Sequence, residues 1–500
     1  MFKKLIIRNI ASRRKKEIDK WSNNPLKSQE KTLKKLIKAG RQTLFGETHN
    51  FSQINNYEDY KQNIPVVDYE GIKSYINKIM EGGRDVLWPG RPIYFAITSG
   101  TTSGVKYIPI TKESIPNLMG GAKDALLVYI ANTGKTDVLS GKHIFLQGSP
   151  VLKEQGGIKT GRLSGISVHH YPFFLKLSRL PSYKTNCIED WEEKVDKIVE
   201  ESIKEDMRIL SGIPSWLQMY FEKLQEKANK PVGEIFENFN LLIYGGVSYA
   251  PYKKKFNKLI GRKVDSIEVF PASEGFFAFQ DRQDSEDLLL ILNSGIFYEF
   301  ISEKDYLDKK QNRISLEDIE EGVNYVLIIS TNAGLWAYNT GDTVMFTSSK
   351  PYRIVVTGRI KQFLSAFGEH VIVKEVENAI EQACSETGTI INEFTVAPKF
   401  GTETRMSCHQ WFIDFEKEPH SLESFEKLLD KNLQNQNKYY KDLIEGNVIS
   451  SLKIERVISG GFNAYMKSIG KFGGQNKIPK LSNDRTIADK LYAIGLVKKL

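Results

Sequence analysis

Cysteine is scarce: Cys187, Cys384 and Cys408 are the only ones in 500 residues, an odd number set far apart. That excludes a disulfide framework and a zinc site of closely paired ligands, and it fits a reducing compartment. Histidine is scarce too, and the adjacent His169 and His170 do not have metal-ligand spacing. No stretch of about 18 apolar residues runs uncharged, which predicts no membrane-spanning helix. The opening apolar residues Leu5, Ile6 and Ile10 are interrupted by Arg8 and too few for a secretion signal. Repeats and low-complexity tracts are missing as well. Hydrophobic residues at 40% and charged residues at 26% exclude wholesale disorder. The expectation is a cytoplasmic chain with a large core and no need of staples.

What is there begins with charge. The net charge of +9 is mild for this length. Much of it sits in Lys3, Lys4, Arg8, Arg13, Arg14, Lys15 and Lys16, which all precede the first acid, Glu17. With Phe2, Leu5, Ile6 and Ile10 this reads as a basic amphipathic helix. A solvated helix covering the main domain is the first reading, and contact with a membrane surface the second.

Leu33, Leu36, Ile37 and Leu44 recur at helical spacing and predict a helix ending near Gly46. Candidate strands follow at Ile93–Ile97, His143–Leu146, Leu241–Tyr244, Ser266–Phe270 and Asp287–Leu292, with helical patterns over Glu192–Leu210 and Leu217–Ala228 between some of them. The alternation predicts a mainly parallel sheet covered on both faces. Gly295–Ile301, Val323–Thr331, Thr343–Thr347 and Tyr352–Thr357 are closely spaced and predict a small antiparallel sheet or barrel. Beyond Gly358 the texture turns to a compact α+β set: a helix over Lys374–Ala383, strands near Phe394–Ala397 and at Gln410–Phe415, and a helix over Leu422–Leu433. The prediction is therefore an α/β chain: a large domain over 1–358 and a smaller α+β domain over 359–500, with the boundary near 358–364.

The stretch Ile97-Thr-Ser-Gly-Thr-Thr-Ser-Gly-Val-Lys106 is the most informative. Its glycines let backbone N–H groups turn around phosphate oxygens, its hydroxyls add donors, and Lys106 offers a counter-charge. It does not match the common P-loop spacing. Ser103-x-x-Lys106 and Lys159-Thr160-Gly161 mimic a serine-acylation pattern, but no S-D-N lies between them.

Three further segments complete a pattern: Tyr244-Gly-Gly-Val-Ser-Tyr249, Val269-Phe-Pro-Ala-Ser-Glu-Gly275, and Tyr338-Asn-Thr-Gly-Asp342 followed by Thr357-Gly-Arg359. In this order they resemble the nucleotide-binding motifs of the adenylate-forming superfamily. Phe45–Phe51, Gly212–Trp216 and Gly473–Pro479 narrow the resemblance to the Gretchen Hagen family of acyl acid amido synthetases, over nearly the whole chain. The resemblance implies ATP and Mg²⁺, and as partners a carboxylic acid and an amine such as an amino acid. It implies an acyl-adenylate, no nucleic-acid partner, a monomer, and a C-terminal domain that rotates about 358–364 between half-reactions. Thr98, Ser99, Gly100, Thr101, Thr102 and Lys106 would hold the ATP phosphates. Gly245 and Gly246 would let adenine lie against the backbone. Ser273 and Glu274 match the motif whose glutamate holds Mg²⁺. Asp342 would accept from both ribose hydroxyls, with Arg359 beside it, and Lys477 would stabilise charge growing on the attacked phosphate. An acyl-CoA ligase and a nucleotide-binding protein without turnover are the alternatives.

Two positions depart from the pattern. The family's arginine after the motif tyrosine is Asn339 here, and its late Lys-x-Pro-Arg ends in Lys480. Losing a bidentate arginine is not a conservative change, so tightness of nucleotide binding is the property these departures bear on.

Overall fold

In the computed structural model the described residues are 2–99, 105–171, 178–246, 249–360, 363–364, 366–367, 369, 371–401, 406–470 and 477–498. Two helices open the chain. Phe2–Ser22 buries Ala11, Ile18 and Trp21 at helical spacing. Pro25–Gly40 starts on a proline, whose missing N–H costs nothing at a helix start. It buries Leu33, Leu36 and Ile37, and its Gln29 exchanges hydrogen bonds with the backbone of Leu292, Ile296 and Tyr298. The helix expected to reach Gly46 stops at Gly40. Thr43 then caps a separate helix, Leu44–Thr48, by accepting from the Gly46 N–H at 3.0 Å.

The strands, in chain order, begin with β1 (Tyr94–Ser99), β2 (Val105–Ile110), β3 (Lys142–Phe145), β4 (Lys153–Gln155), β5 (Ile158–Gly161), β6 (Arg179–Leu180), β7 (Met207–Gly212), β8 (Leu241–Gly245) and β9 (Asp265–Pro271). There follow β10 (Phe276–Phe279), β11 (Leu288–Leu290), β12 (Ile296–Ser302), β13 (Arg313–Ile314), β14 (Asn324–Thr331), β15 (Tyr338–Ser349) and β16 (Tyr352–Arg359). Twelve of them make one sheet in the order β13-β12-β14-β15-β16-β11-β10-β9-β8-β7-β3-β6. From β6 to β9 neighbours are parallel, joined by helices such as Pro214–Ala228 and Ala250–Ile260. From β9 to β13 the described pairings are antiparallel.

Two expectations change here. The strands after residue 276 do not form a sheet of their own but extend the parallel one, because β10 turns straight back on β9. A separate four-stranded sheet, β2-β1-β5-β4, comes from earlier residues. The helix expected over 192–210 covers only Trp191–Ser202, and Met207–Gly212 is a strand. Met207 pairs with β3, and buried Ile209 and Leu210 pair with both β3 and β8, so sheet pairing overrides a helical spacing of apolar residues.

Contacts divide the chain into two units, 1–247 with 260–355 and 248–259 with 356–500. The second contains β17 (Phe363–Leu364), β18 (Val371–Ile372), β19 (Ile390–Lys399), β20 (Cys408–Lys417) and β21 (Lys453–Val457), the last three forming a sheet. Alternation along β20 gives this sheet a core on each face. Trp411 and Ile413 join Phe425, Leu429 and Val376 on one side, while Phe412 joins Phe462, Tyr465 and Leu491 on the other. All three cysteines are free, and burial pushes the Cys384 thiol up to about 12. No described helix is long and apolar enough to cross a membrane.

Candidate active site

Three motif segments start at carboxyl ends of neighbouring parallel strands. Gly212–Trp216 follows β7, Tyr244–Tyr249 follows β8, and Val269–Gly275 ends β9. Open α/β sheets bind ligands at this edge, because turns there leave backbone groups unpaired by the ladder.

At Gly245 a side chain is excluded by packing: an added Cβ would lie 2.2 Å from the carbonyl oxygen of Val269 on β9. Gly246 has φ +82°, a backbone that favours glycine. The structure thus supplies reasons of its own for both glycines. Ser273 and Glu274 are the two tip residues of the β9–β10 turn, closed by mutual hydrogen bonds between Ala272 and Gly275. Both side chains are half-buried. The next residue, Phe276, lies against helix Ile115–Thr133, its ring 2.2 Å from where a Cβ on Gly121 would stand. That helix follows β2, so the β1–β2 hairpin and the Glu274 turn are braced by one element.

Glu274 sets the test for Mg²⁺. No group of three or more acidic, histidine or cysteine side chains able to hold a metal occurs among the described residues. A single carboxylate on a turn fits a hard cation that arrives with phosphates and keeps its waters, not one caged by protein.

Thr98 and Lys106 face each other in the antiparallel β1–β2 register, and Ser99 pairs with Val105. The serine- and glycine-rich segment therefore joins two strands of a hairpin. Gly100, Thr101 and Thr102 lie outside the described residues, as does the Ser99 side chain. The Lys106 ammonium stands 5.7 Å from the centre of the Tyr69 ring, a cation–π contact. Tyr69 in turn accepts the Tyr107 N–H at 2.9 Å, and burial raises its pKa. Sequence reading missed Tyr69, because it sits in an ordinary helical pattern 37 residues before Lys106.

Asp342 lies elsewhere in the sheet, on β15, separated from β9 by β16, β11 and β10. It is 7% exposed. The β14–β15 register breaks between Val326 and Ile328, so residues 340–342 bulge out opposite Leu327. Thr340 holds the bulge by donating to the Leu327 carbonyl at 3.0 Å and accepting from the Asp342 N–H at 3.1 Å. Asn339, where arginine was expected, is part of this device. Its Oδ1 accepts from the Gly341 N–H at 2.8 Å, and its Nδ2 donates to the Tyr306 hydroxyl at 3.3 Å.

In the C-terminal unit Arg359 is exposed at the end of β16. Lys477 is exposed just before a tethered run in which Thr395 donates to the Pro479 carbonyl at 2.6 Å and Val396 N–H to that of Lys480 at 2.9 Å. Lys480 is ion-paired with Glu393 and lies over the Phe394 ring, so the residue in the arginine's place anchors this run.

These features find counterparts among known proteins. The fold is that of the GH3.15 acyl acid amido synthetase, with TM-score 0.80 at 15% identity over 97% of this chain and 96% of that one. A 2-hydroxyisobutyryl-CoA ligase in complex with an acyl-AMP shares it more loosely, with TM-score 0.57 and 12% identity over 96% and 91%. Residues 14–264, 289–359 and 374–486 match the GH3 family N-terminal, central and C-terminal domains. The chain belongs to the GH3 family. An indole-3-acetic acid-amido synthetase of Arabidopsis thaliana is 23% identical, covering 93% of this chain and 90% of that one. A jasmonoyl-L-amino acid synthetase of Nicotiana attenuata is 22% identical, covering 64% of this chain and 66% of that one.

Proposed function

We propose that this protein is a cytoplasmic ATP-dependent ligase that activates a carboxylic acid as an acyl-adenylate and transfers it to an amine, an amino acid in the first instance. The observation that carries the reading is the gathering of the motif turns at the carboxyl edge of β7, β8 and β9 in a chain of this family. A carboxylate is a poor electrophile, since its oxygen is a bad leaving group. Its attack on the α-phosphate of ATP forms the new P–O bond and expels pyrophosphate. The amine then attacks the acyl carbon, AMP leaves, and the amine gives up a proton. Lys106, with Thr98 beside it, holds the phosphates. Ser99, Gly100, Thr101 and Thr102 complete that loop. Gly245 and Gly246 border the adenine and Asp342 binds the ribose, with Arg359 as a second contact. Ser273 and Glu274 would hold a Mg²⁺ brought with the nucleotide, which would supply charge neutralisation at the phosphates. Lys477 serves the adenylation step.

The test is ATP–pyrophosphate exchange across a panel of carboxylic acids, followed by product identification with amino acids and with coenzyme A. Exchange with amide product is expected. A thioester product would make the chain an acyl-CoA ligase, and no exchange with any acid would leave it a binding protein.

A further inference from the structure

The Phe2–Ser22 helix is held to the protein by one face only. Ala11, Ile18 and Trp21 are buried, Arg14 donates to both carboxylate oxygens of Asp124 at 2.8 and 2.6 Å, and Arg8 donates to the Gly134 carbonyl at 3.0 Å. The rest of its surface keeps three large aliphatic side chains in solvent: Leu5, Ile6 and, at the border of the seated face, Ile10 are 58%, 43% and 51% exposed. Single exposed aliphatics need no explanation, but three within two turns of one helix do. Basic residues share their stripes. Ile6 and Arg13 lie seven apart, and Leu5 and Lys16 eleven apart, near whole numbers of helical turns. Lys4, Arg13 and Lys16 are exposed and make no ion pair among the described residues, whereas Arg14 and Lys15 are neutralised by Asp124, Glu17 and Asp19. Residues 1–16 hold seven basic side chains and no acidic one, in a chain whose whole net charge is +9.

We propose that this outward surface docks on an anionic lipid bilayer, with Leu5, Ile6 and Ile10 entering the headgroup–acyl boundary and Arg13 and Lys16 meeting lipid phosphates and carboxylates. The charge selects an anionic partner, and the aliphatic residues select one with an apolar interior. A nucleic acid offers the first without the second. The fold adds preorganisation, because the helix is already formed and seated, so binding does not have to order it.

The experiment is co-sedimentation of the full chain with phosphatidylcholine vesicles, with and without phosphatidylserine. Binding is expected only to the phosphatidylserine vesicles, falling as salt rises. Ile6→Ser/Ile10→Ser and Arg13→Glu/Lys16→Glu should each weaken it at least about tenfold while pyrophosphate exchange stays at the parent level. No binding to phosphatidylserine vesicles at low salt overturns the proposal, as does binding that survives the two serines. Retention on RNA that ignores the serine changes, or a dimer that the serine changes dissociate, would instead assign the face to nucleic acid or to a second copy of the chain.

Discussion

In the antiparallel half of the large sheet, Arg313 lies beside Glu299, Nε to Oε1 3.1 Å, with both side chains inaccessible to solvent. It also donates to the carbonyls of Tyr60, Lys61 and Ile64 at 3.3, 2.8 and 2.7 Å, closing the end of helix Tyr57–Asn63. In the parallel half, Lys194 on helix Trp191–Ser202 is 1% exposed and donates to the carbonyls of Gln147 and Asn186 at 3.1 and 2.7 Å. The first buried charge is met by a counter-charge, the second by backbone. The outcome differs. Burial raises the Glu299 carboxyl above its ordinary range despite Arg313, while burial, with the Arg162 charge adding to it, pushes the Lys194 ammonium down to about 8. The Arg313–Glu299 pair serves stability inside the antiparallel half, where a bulge on β15 also presents Asp342. The parallel edge ends in loops whose unpaired backbone groups are available to cations and to ligands alike.

Arg313→Ala should show the largest effect. It leaves Glu299 buried without its cation and the Lys61 and Ile64 carbonyls without their donor, costing about 3–5 kcal/mol in chemical denaturation. A loss below about 1 kcal/mol would show that the pair is dispensable. On the separate β1–β2 hairpin Lys106→Ala should behave oppositely, with pyrophosphate exchange down about 10²-fold and an unchanged melting temperature. Unchanged exchange in the folded variant would remove Lys106 from the phosphate site. Gly245→Ala joins the two kinds of effect, since its Cβ meets the Val269 carbonyl. Overpacking of about 1–3 kcal/mol together with weaker ATP affinity is expected, by denaturation and calorimetry.

The smallest effect concerns pH. From about pH 8 to its ordinary value of 10.5, Lys194 has lost its proton in the folded protein, while the unfolded chain still holds one. The unfolded state binds more protons there, so this group makes stability rise with pH across that window. Denaturation midpoints of the parent should gain on those of Lys194→Met between pH 8 and 10. Parallel midpoints would mean that the two carbonyls keep Lys194 charged.

Residue order carried much of this molecule. The alternation of apolar runs with helical patterns predicted the α/β unit, and strand texture after Gly358 the α+β one. Phe394–Ala397, for example, falls within β19, with Phe394 and Val396 in one core and Ala397 in the other. The candidate site residues that the structure describes were all chosen from short motifs, because glycine, hydroxyl and carboxylate at fixed spacing reflect a local chemical need. Tyr69 and Lys194 were not legible. Each acts on a partner brought to it by the fold, and nothing local marks it.

The sequence by itself determined element type wherever periodicity ran long, as in Leu33–Ile37, and it determined the chemistry available in each turn. Tertiary structure decided the rest: that Met207–Leu210 is a strand, that one sheet absorbs both strand sets, and that Asn339 pins a bulge where an arginine was expected. It also left Leu5, Ile6 and Ile10 outside the core. The physical reason is common to these cases. Apolar spacing says that a face must be buried, but only the neighbours that reach it, through pairing and packing across distant parts of the chain, say against what.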